Sequence, residues 1–145
     1  MRFLVAALLA LVPAIVAAEP LSSRDVRVID GDTIAVGRTT YRLVGFDAPE
    51  QGERAQCPSE AERGTRATGR MQEIIRSGAL DIEVVACSCR PGTEGTQLCN
   101  YGRSCAVLRT SGKDVAGLMI GEGLAHSYQC SSDRCPRRRS WCSGQ

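Results

Sequence analysis

The chain has 145 residues, 43% of them hydrophobic, with 23% charged residues and a formal net charge of +2. That length suits one domain, and a charge so near balance neither demands nor excludes a polyanionic partner. His126 is the only histidine, which excludes a histidine-pair phosphodiesterase mechanism within one chain, and aromatics at 4% are too sparse for a base-stacking platform.

Residues 1–18 begin Met1-Arg2 and continue as an apolar run from Phe3 to Ala18, ahead of Glu19-Pro20. The run is shorter than the ~20 residues of a membrane span. Small residues at Val16-Ala17-Ala18 suit a signal peptidase. The expectation is a signal peptide over 1–18, a periplasmic or secreted protein with no stable membrane association after cleavage, and a mature N-terminus at Glu19. Eight cysteines follow, Cys57, Cys87, Cys89, Cys99, Cys105, Cys130, Cys135 and Cys142. In an exported chain an even count reads as four disulfides. The spacings of Cys87-Ser88-Cys89 and of Cys130 to Cys135 do not suit a zinc site.

Arg24–Ile29 predicts a first strand, with Val26 and Val28 on one face. Asp30-Gly31-Asp32 is a turn, Thr33–Val36 a second strand, Gly37-Arg38 another turn and Thr39–Val44 a third strand. The stretch from Ile29 to Glu50 collects Asp30, Asp32, Asp47, Glu50 and Arg42 at strand ends, where hairpins gather them at one sheet edge. Strict alternation puts Arg42 and Asp47 on opposite faces; a bend at Gly45 would bring them together. An acidic pocket beside an arginine suits a hard, oxygen-liganded cation holding a phosphate.

A helix is predicted next, with Ser59 as N-cap and Glu62 completing a capping box. Ala61, Gly64, Ala67, Met71, Ile74 and Ile75 form its apolar face. Glu62 and Arg66 are spaced as an i,i+4 pair. Arg63, Arg66, Arg70 and Arg76 suit a solvated face. Gly78 ends the helix. Leu80–Ala86 and Ser104–Arg109 predict two strands flanking a cysteine-bounded loop. Nesting across that loop pairs Cys87 with Cys105 and Cys89 with Cys99, leaving Cys57, Cys130, Cys135 and Cys142 to pin the helix start and the tail. Asp114 caps a short helix bearing Val115, Leu118 and Met119, and Gly123 stops it. From about residue 129 the tail is rich in Ser, Arg and Cys; Trp141 suits docking it on the domain, and Arg137-Arg138-Arg139 suit a solvated basic segment. Three strands, a helix, two strands and a helix is the order of a five-stranded oligonucleotide-binding (OB) barrel, so the fold class expected over 19–145 is β-rich α+β with two to three helices, stabilised by disulfides.

Asp30-Gly31-Asp32-Thr33, Tyr41-Arg42-Leu43-Val44-Gly45-Phe46-Asp47-Ala48-Pro49-Glu50 and Tyr101-Gly102-Arg103 together resemble the thermonuclease, or staphylococcal-nuclease-like, family. The first motif alone is a common turn; the second is far more specific, and the resemblance covers roughly Arg24 to Tyr128. It implies a calcium-dependent nuclease on an OB barrel, cutting DNA and RNA to leave 3′-phosphates. By position it implies that Asp32 and Asp47 ligate calcium with their carboxylates and Ala48 with its backbone carbonyl. Glu50 would handle the attacking water, Arg42 and Arg103 would stabilise the phosphate transition state, and Tyr101 and Tyr128 would touch substrate. Asp30 is expected behind the ligands. Asn100 stands where the family has a lysine, and the cysteine-rich tail replaces a long C-terminal helix. The competing readings are a non-catalytic nucleic-acid-binding module of the same fold and a structural domain whose carboxylates hold a calcium ion. A monomer is expected.

Overall fold

A computed structural model describes residues 21–142. The signal peptide expected over 1–18 and its cleavage point lie outside the described residues. The chain forms β1 (Val26–Asp30), β2 (Thr33–Val36), β3 (Thr39–Leu43), β4 (Gly45–Asp47), α1 (Pro58–Ser77), β5 (Leu80–Val85), β6 (Ser104–Thr110), β7 (Lys113–Asp114), α2 (Val115–Gly121) and β8 (His126–Tyr128). The first strand starts two residues later than the alternation predicts, because Ser23–Asp25 is a 3-10 turn capped by the Ser22 side chain on the Arg24 N–H.

The main sheet runs β1-β2-β3-β6-β5, with β7 added on β6. β3 and β6 are parallel and the other neighbours antiparallel. The expected five-stranded OB barrel appears as a curled sheet that is not closed. Its two outer strands, β1 and β5, do not pair; a single bridge joins Leu21, ahead of β1, to Leu80 of β5. The 3-10 turn at Ser23–Asp25 takes the chain out of the extended conformation a longer ladder needs. The described residues form a strand-rich α+β fold with an open sheet and two α-helices.

Apolar side chains of both helices close one core around Ile34, Leu43 and Phe46 of the strands, each at most 1% exposed. On α1 the buried face is Gly64, Ala67, Met71, Ile74 and Ile75, as the periodicity predicts. The N-terminus of α1 differs. Its N-cap is Cys57 with Pro58 at the first helical position, where a ring-locked φ suits a helix start. Ser59 is therefore already inside the helix. Glu60 does the reaching back, accepting the Gln56 N–H at 2.7 Å and the Glu50 N–H at 3.2 Å. The Glu62–Arg66 pair is not among the ion pairs of the described residues. Arg70 instead joins Glu73 and, with two 2.7 Å hydrogen bonds, Glu122 at the end of α2. α2 behaves as expected: the Asp114 carboxylate accepts the Ala116 N–H at 3.0 Å, and Gly123 adopts φ +71 just beyond it.

Four disulfides join Cys57–Cys142, Cys87–Cys105, Cys89–Cys99 and Cys130–Cys135. The nested pair spans the loop between β5 and β6, and Cys87, Cys99 and Cys105 form a small second core with Val44 and Val85. The tail after β8 contains no helix or strand up to Cys142. It is held by its own disulfides and by Trp141, which is 6% exposed and stacks on His126 with ring centroids 3.7 Å apart.

Candidate active site

The turn between β1 and β2 supplies the first two carboxylates. Asp30 turns back to accept the Asp32 N–H at 3.2 Å, an Asx-type bond that shapes the turn. Its other oxygen receives Arg54 Nη2 at 3.0 Å. Asp30 is thus a supporting residue, as expected. Asp32 points inward: Oδ2 accepts the Ala48 N–H at 2.8 Å and pairs with Arg42 Nη1 at 3.1 Å, while Oδ1 accepts the Thr33 hydroxyl at 3.2 Å. Burial pushes its carboxyl pKa up to about 6; Arg42 opposes this and the carboxylates of Asp30 and Asp47 reinforce it.

Gly45 resolves the alternation problem. It adopts φ +93, a region costly for residues with a Cβ, and there the chain leaves β3 for β4. β4 pairs with β8, not with the main sheet. This turn brings Arg42 and Asp47 to the same side, with Nη2 to Oδ1 at 3.4 Å. Arg42 also donates to the Leu43 carbonyl at 2.7 Å and the Phe46 carbonyl at 3.0 Å, so its fork clamps the bend. The Asp47 side chain is only 2% exposed, and its Oδ2 is buried with no hydrogen-bond partner.

Glu50 is placed from behind by α1. Its N–H bonds Glu60, and the helix approaches so closely at Gly64 that a Cβ there would collide with the Glu50 carbonyl and lie 2.9 Å from the Gln51 nitrogen. Glu60 also neighbours Cys57 and Cys142, but those sulfurs are covalently paired and both its oxygens already accept N–H groups.

Arg103 approaches from the start of β6. It follows a turn in which Asn100, Tyr101 and Gly102 all have positive φ, a conformation stored only where the surroundings hold it. Asn100 fixes the guanidinium twice, accepting Nε at its carbonyl (3.0 Å) and Nη2 at its side-chain oxygen (2.8 Å), while Nη1 reaches the Thr33 hydroxyl at 3.2 Å. Arg103 makes no ion pair with a carboxylate among the described residues. Burial, and then the like charge of Arg42, lower its pKa, yet a guanidinium stays protonated at neutral pH. The Tyr101 ring lies beside it, 5.7 Å from ring centroid to guanidinium carbon, and is 78% exposed. Tyr128 is elsewhere engaged: its hydroxyl donates to the Pro136 carbonyl at 2.9 Å.

Arg138, expected with Arg137 and Arg139 in a solvated basic segment, lies at the site instead. The tail folds back and sets its guanidinium on the carboxylates. Nε meets Asp47 Oδ1 at 2.7 Å, Nη1 meets Glu50 Oε1 at 2.9 Å and Nη2 meets the Ala48 carbonyl at 3.2 Å. Arg54 and Glu60 also escaped the motif reading, and Asn100 entered it only as a departure at a lysine position, because each meets the site through a contact that no local pattern announces.

The residues fit an oxygen-liganded cation. The Arg138 guanidinium bonds Asp47, the Ala48 carbonyl and Glu50, so those three oxygens border one small region. Arg42 links that place to Asp32. Arg42 and Arg138 both meet Asp47 through Oδ1, so its buried Oδ2 is left without a hydrogen bond, which is costly unless a further cation or donor reaches it.

No family model matches the chain. It is similar to two proteins of Bacillus subtilis (strain 168), named endonuclease YncB and SPbeta prophage-derived endonuclease YokF. Identity is 33% and 32%, each over 103 residues and 68% of this chain. The matched region is 44% of the first and 31% of the second, so the chain spans less than half the length of these relatives.

Proposed function

We propose that the chain is an exported nuclease that hydrolyses phosphodiester bonds of DNA or RNA with the help of calcium, on an open-sided variant of the OB barrel and as a monomer. The observation that carries this reading is that Asp47, the Ala48 carbonyl and Glu50 border one small region, with Asp32 joined to it through Arg42. The similarity to two proteins named endonucleases points the same way. Asp32, Asp47 and the Ala48 carbonyl would hold the ion. Calcium there would draw electrons from a phosphate oxygen and lower the cost of building charge on phosphorus.

The protein's own groups supply the rest. Glu50, at the rim of the site, accepts the proton of the attacking water. Arg103, oriented by Asn100 and in no ion pair among the described residues, donates to the equatorial phosphate oxygens with a planar fork. Arg42 neutralises Asp32 and Asp47 in the resting site and serves the phosphate once those carboxylates have another cation. Tyr101, exposed beside Arg103, lies where a nucleotide would pass. Tyr128 is a substrate contact only if its bond to Pro136 opens.

The test is cleavage of single-stranded DNA by the oxidised protein, with calcium and with chelator. Glu50→Gln and Arg103→Lys should each lose ~10²–10³ in rate, the usual cost of removing one such group, while remaining folded. Asp32→Asn and Asp47→Asn should weaken calcium binding first. Calcium-independent cleavage that survives all four substitutions overturns the mechanism. Tight DNA binding without cleavage favours the non-catalytic module. Export is tested by sequencing the N-terminus of the secreted chain, where Glu19 is expected.

A further inference from the structure

We propose that Arg138 is a tethered internal cation that occupies the ion-binding place and holds the site closed, so that a divalent metal gains the site only by displacing it. This rests on the cation reading above. Three donors of one guanidinium sit on three of the groups that reading assigns: the Asp47 carboxylate, the Ala48 carbonyl and the Glu50 carboxylate. A phosphate-binding arginine would leave those oxygens to the metal. Arg138 instead uses them, and with Oε1 bonded at 2.9 Å and Oε2 facing Arg54 Nε at 3.6 Å, Glu50 is hindered at both oxygens from taking a proton from water.

Charge balance agrees. Asp30, Asp32, Asp47 and Glu50 pair with Arg42, Arg54 and Arg138, four carboxylates against three guanidiniums, while Arg103 turns to the Thr33 hydroxyl. Removing Arg138 leaves a net negative site ready for a cation. Partial burial works against the charge on Arg138, but its bonds to Glu50 and Asp47 overcome this and raise its pKa.

The tail is built to present this side chain. Two residues before it, the Pro136 carbonyl is held by Tyr128; three residues after it, Trp141 stacks on His126; and Cys142 is bonded to Cys57. Anchors on both sides keep the guanidinium at a high effective concentration over the carboxylates. Its side chain is still 44% exposed, so it can swing out without unfolding the tail.

The experiment is calcium titration of the full oxidised chain by calorimetry, comparing wild type with Arg138→Gln and with the Cys57→Ser/Cys142→Ser pair. Arg138→Gln should bind calcium at least tenfold more tightly, and the untethered pair should shift in the same direction by less. In chelator, Arg138→Gln should melt below wild type, and saturating calcium should raise its Tm by more than it raises that of wild type. Equal calcium affinity in wild type and Arg138→Gln overturns the proposal while leaving the cation reading intact. A variant that loses cleavage with unchanged calcium affinity also overturns it, since Arg138 would then act on the phosphate. No calcium binding by any form removes both.

Discussion

Asn100 illustrates how a single residue sets a functional group. It adopts φ +52, a region that asparagine tolerates better than most residues, and from there both its carbonyl and its side chain grip Arg103. The neutral amide orients the guanidinium without cancelling its charge. Asn100→Asp keeps the shape and the tolerance of positive φ but adds a carboxylate that competes with phosphate for Arg103. Under the nuclease reading it should raise KM for DNA about tenfold, or about 1.4 kcal/mol, with little change in thermal stability. Steady-state kinetics with DNA check this, and an unchanged KM would mean that Arg103 does not meet the phosphate in the bound complex.

At the scale of elements, the decisive contact is between α1 and the chain that carries Glu50. Gly64 lets the helix lie against the Glu50 backbone, and Glu60 one turn earlier bonds the Glu50 N–H. Helix and site are therefore one rigid unit. Gly64→Ala would improve helix propensity in isolation by about 1 kcal/mol. Here its Cβ meets backbone that cannot rotate away, so the net effect should be a loss of ~1–3 kcal/mol, as for other overpacked contacts. Denaturant unfolding reads that loss, and cleavage should fall further than the stability change explains because Glu50 shifts. A neutral or stabilising result would show that the loop yields freely and that α1 does not position Glu50.

Over the whole molecule, the sheet is open on one side and the second edge of the site is a tail without regular structure, so covalent links carry much of the order. Cys57–Cys142 joins the start of α1 to the end of the described chain, 85 residues apart in sequence. Closing a long loop of this kind typically stabilises by ~2–4 kcal/mol. Cys130–Cys135 closes only a short one, 5 residues apart. The Cys57→Ser/Cys142→Ser pair should therefore lose ~2–4 kcal/mol in urea unfolding, and the Cys130→Ser/Cys135→Ser pair clearly less. Equal losses would point to native-state contacts, not loop closure, as the origin.

Much of this was written locally. Alternation and turn residues marked β2 at its observed bounds and β3 to within one residue, helical spacing marked most of the buried face of α1, and Asp114 with Gly123 bounded α2, because these features depend on residues a few positions apart. Cys87 and Cys105 could be paired in advance since adjacent strands bring them together. The cluster of Asp32, Arg42, Asp47 and Glu50 was legible because one short stretch carries all four, and even its bend was marked by Gly45. The rest depended on contacts between distant parts of the chain. The N-cap moved from Ser59 to Cys57 because Glu60, and not Glu62, found backbone N–H groups to accept. The barrel stayed open because the chain before β1 turns out of its ladder. Arg138 looked like any solvated arginine of a basic tail; only the Cys57–Cys142 link and the Trp141–His126 stack return it, across 91 residues' separation from Asp47 in number alone, to carboxylates whose charge then holds it.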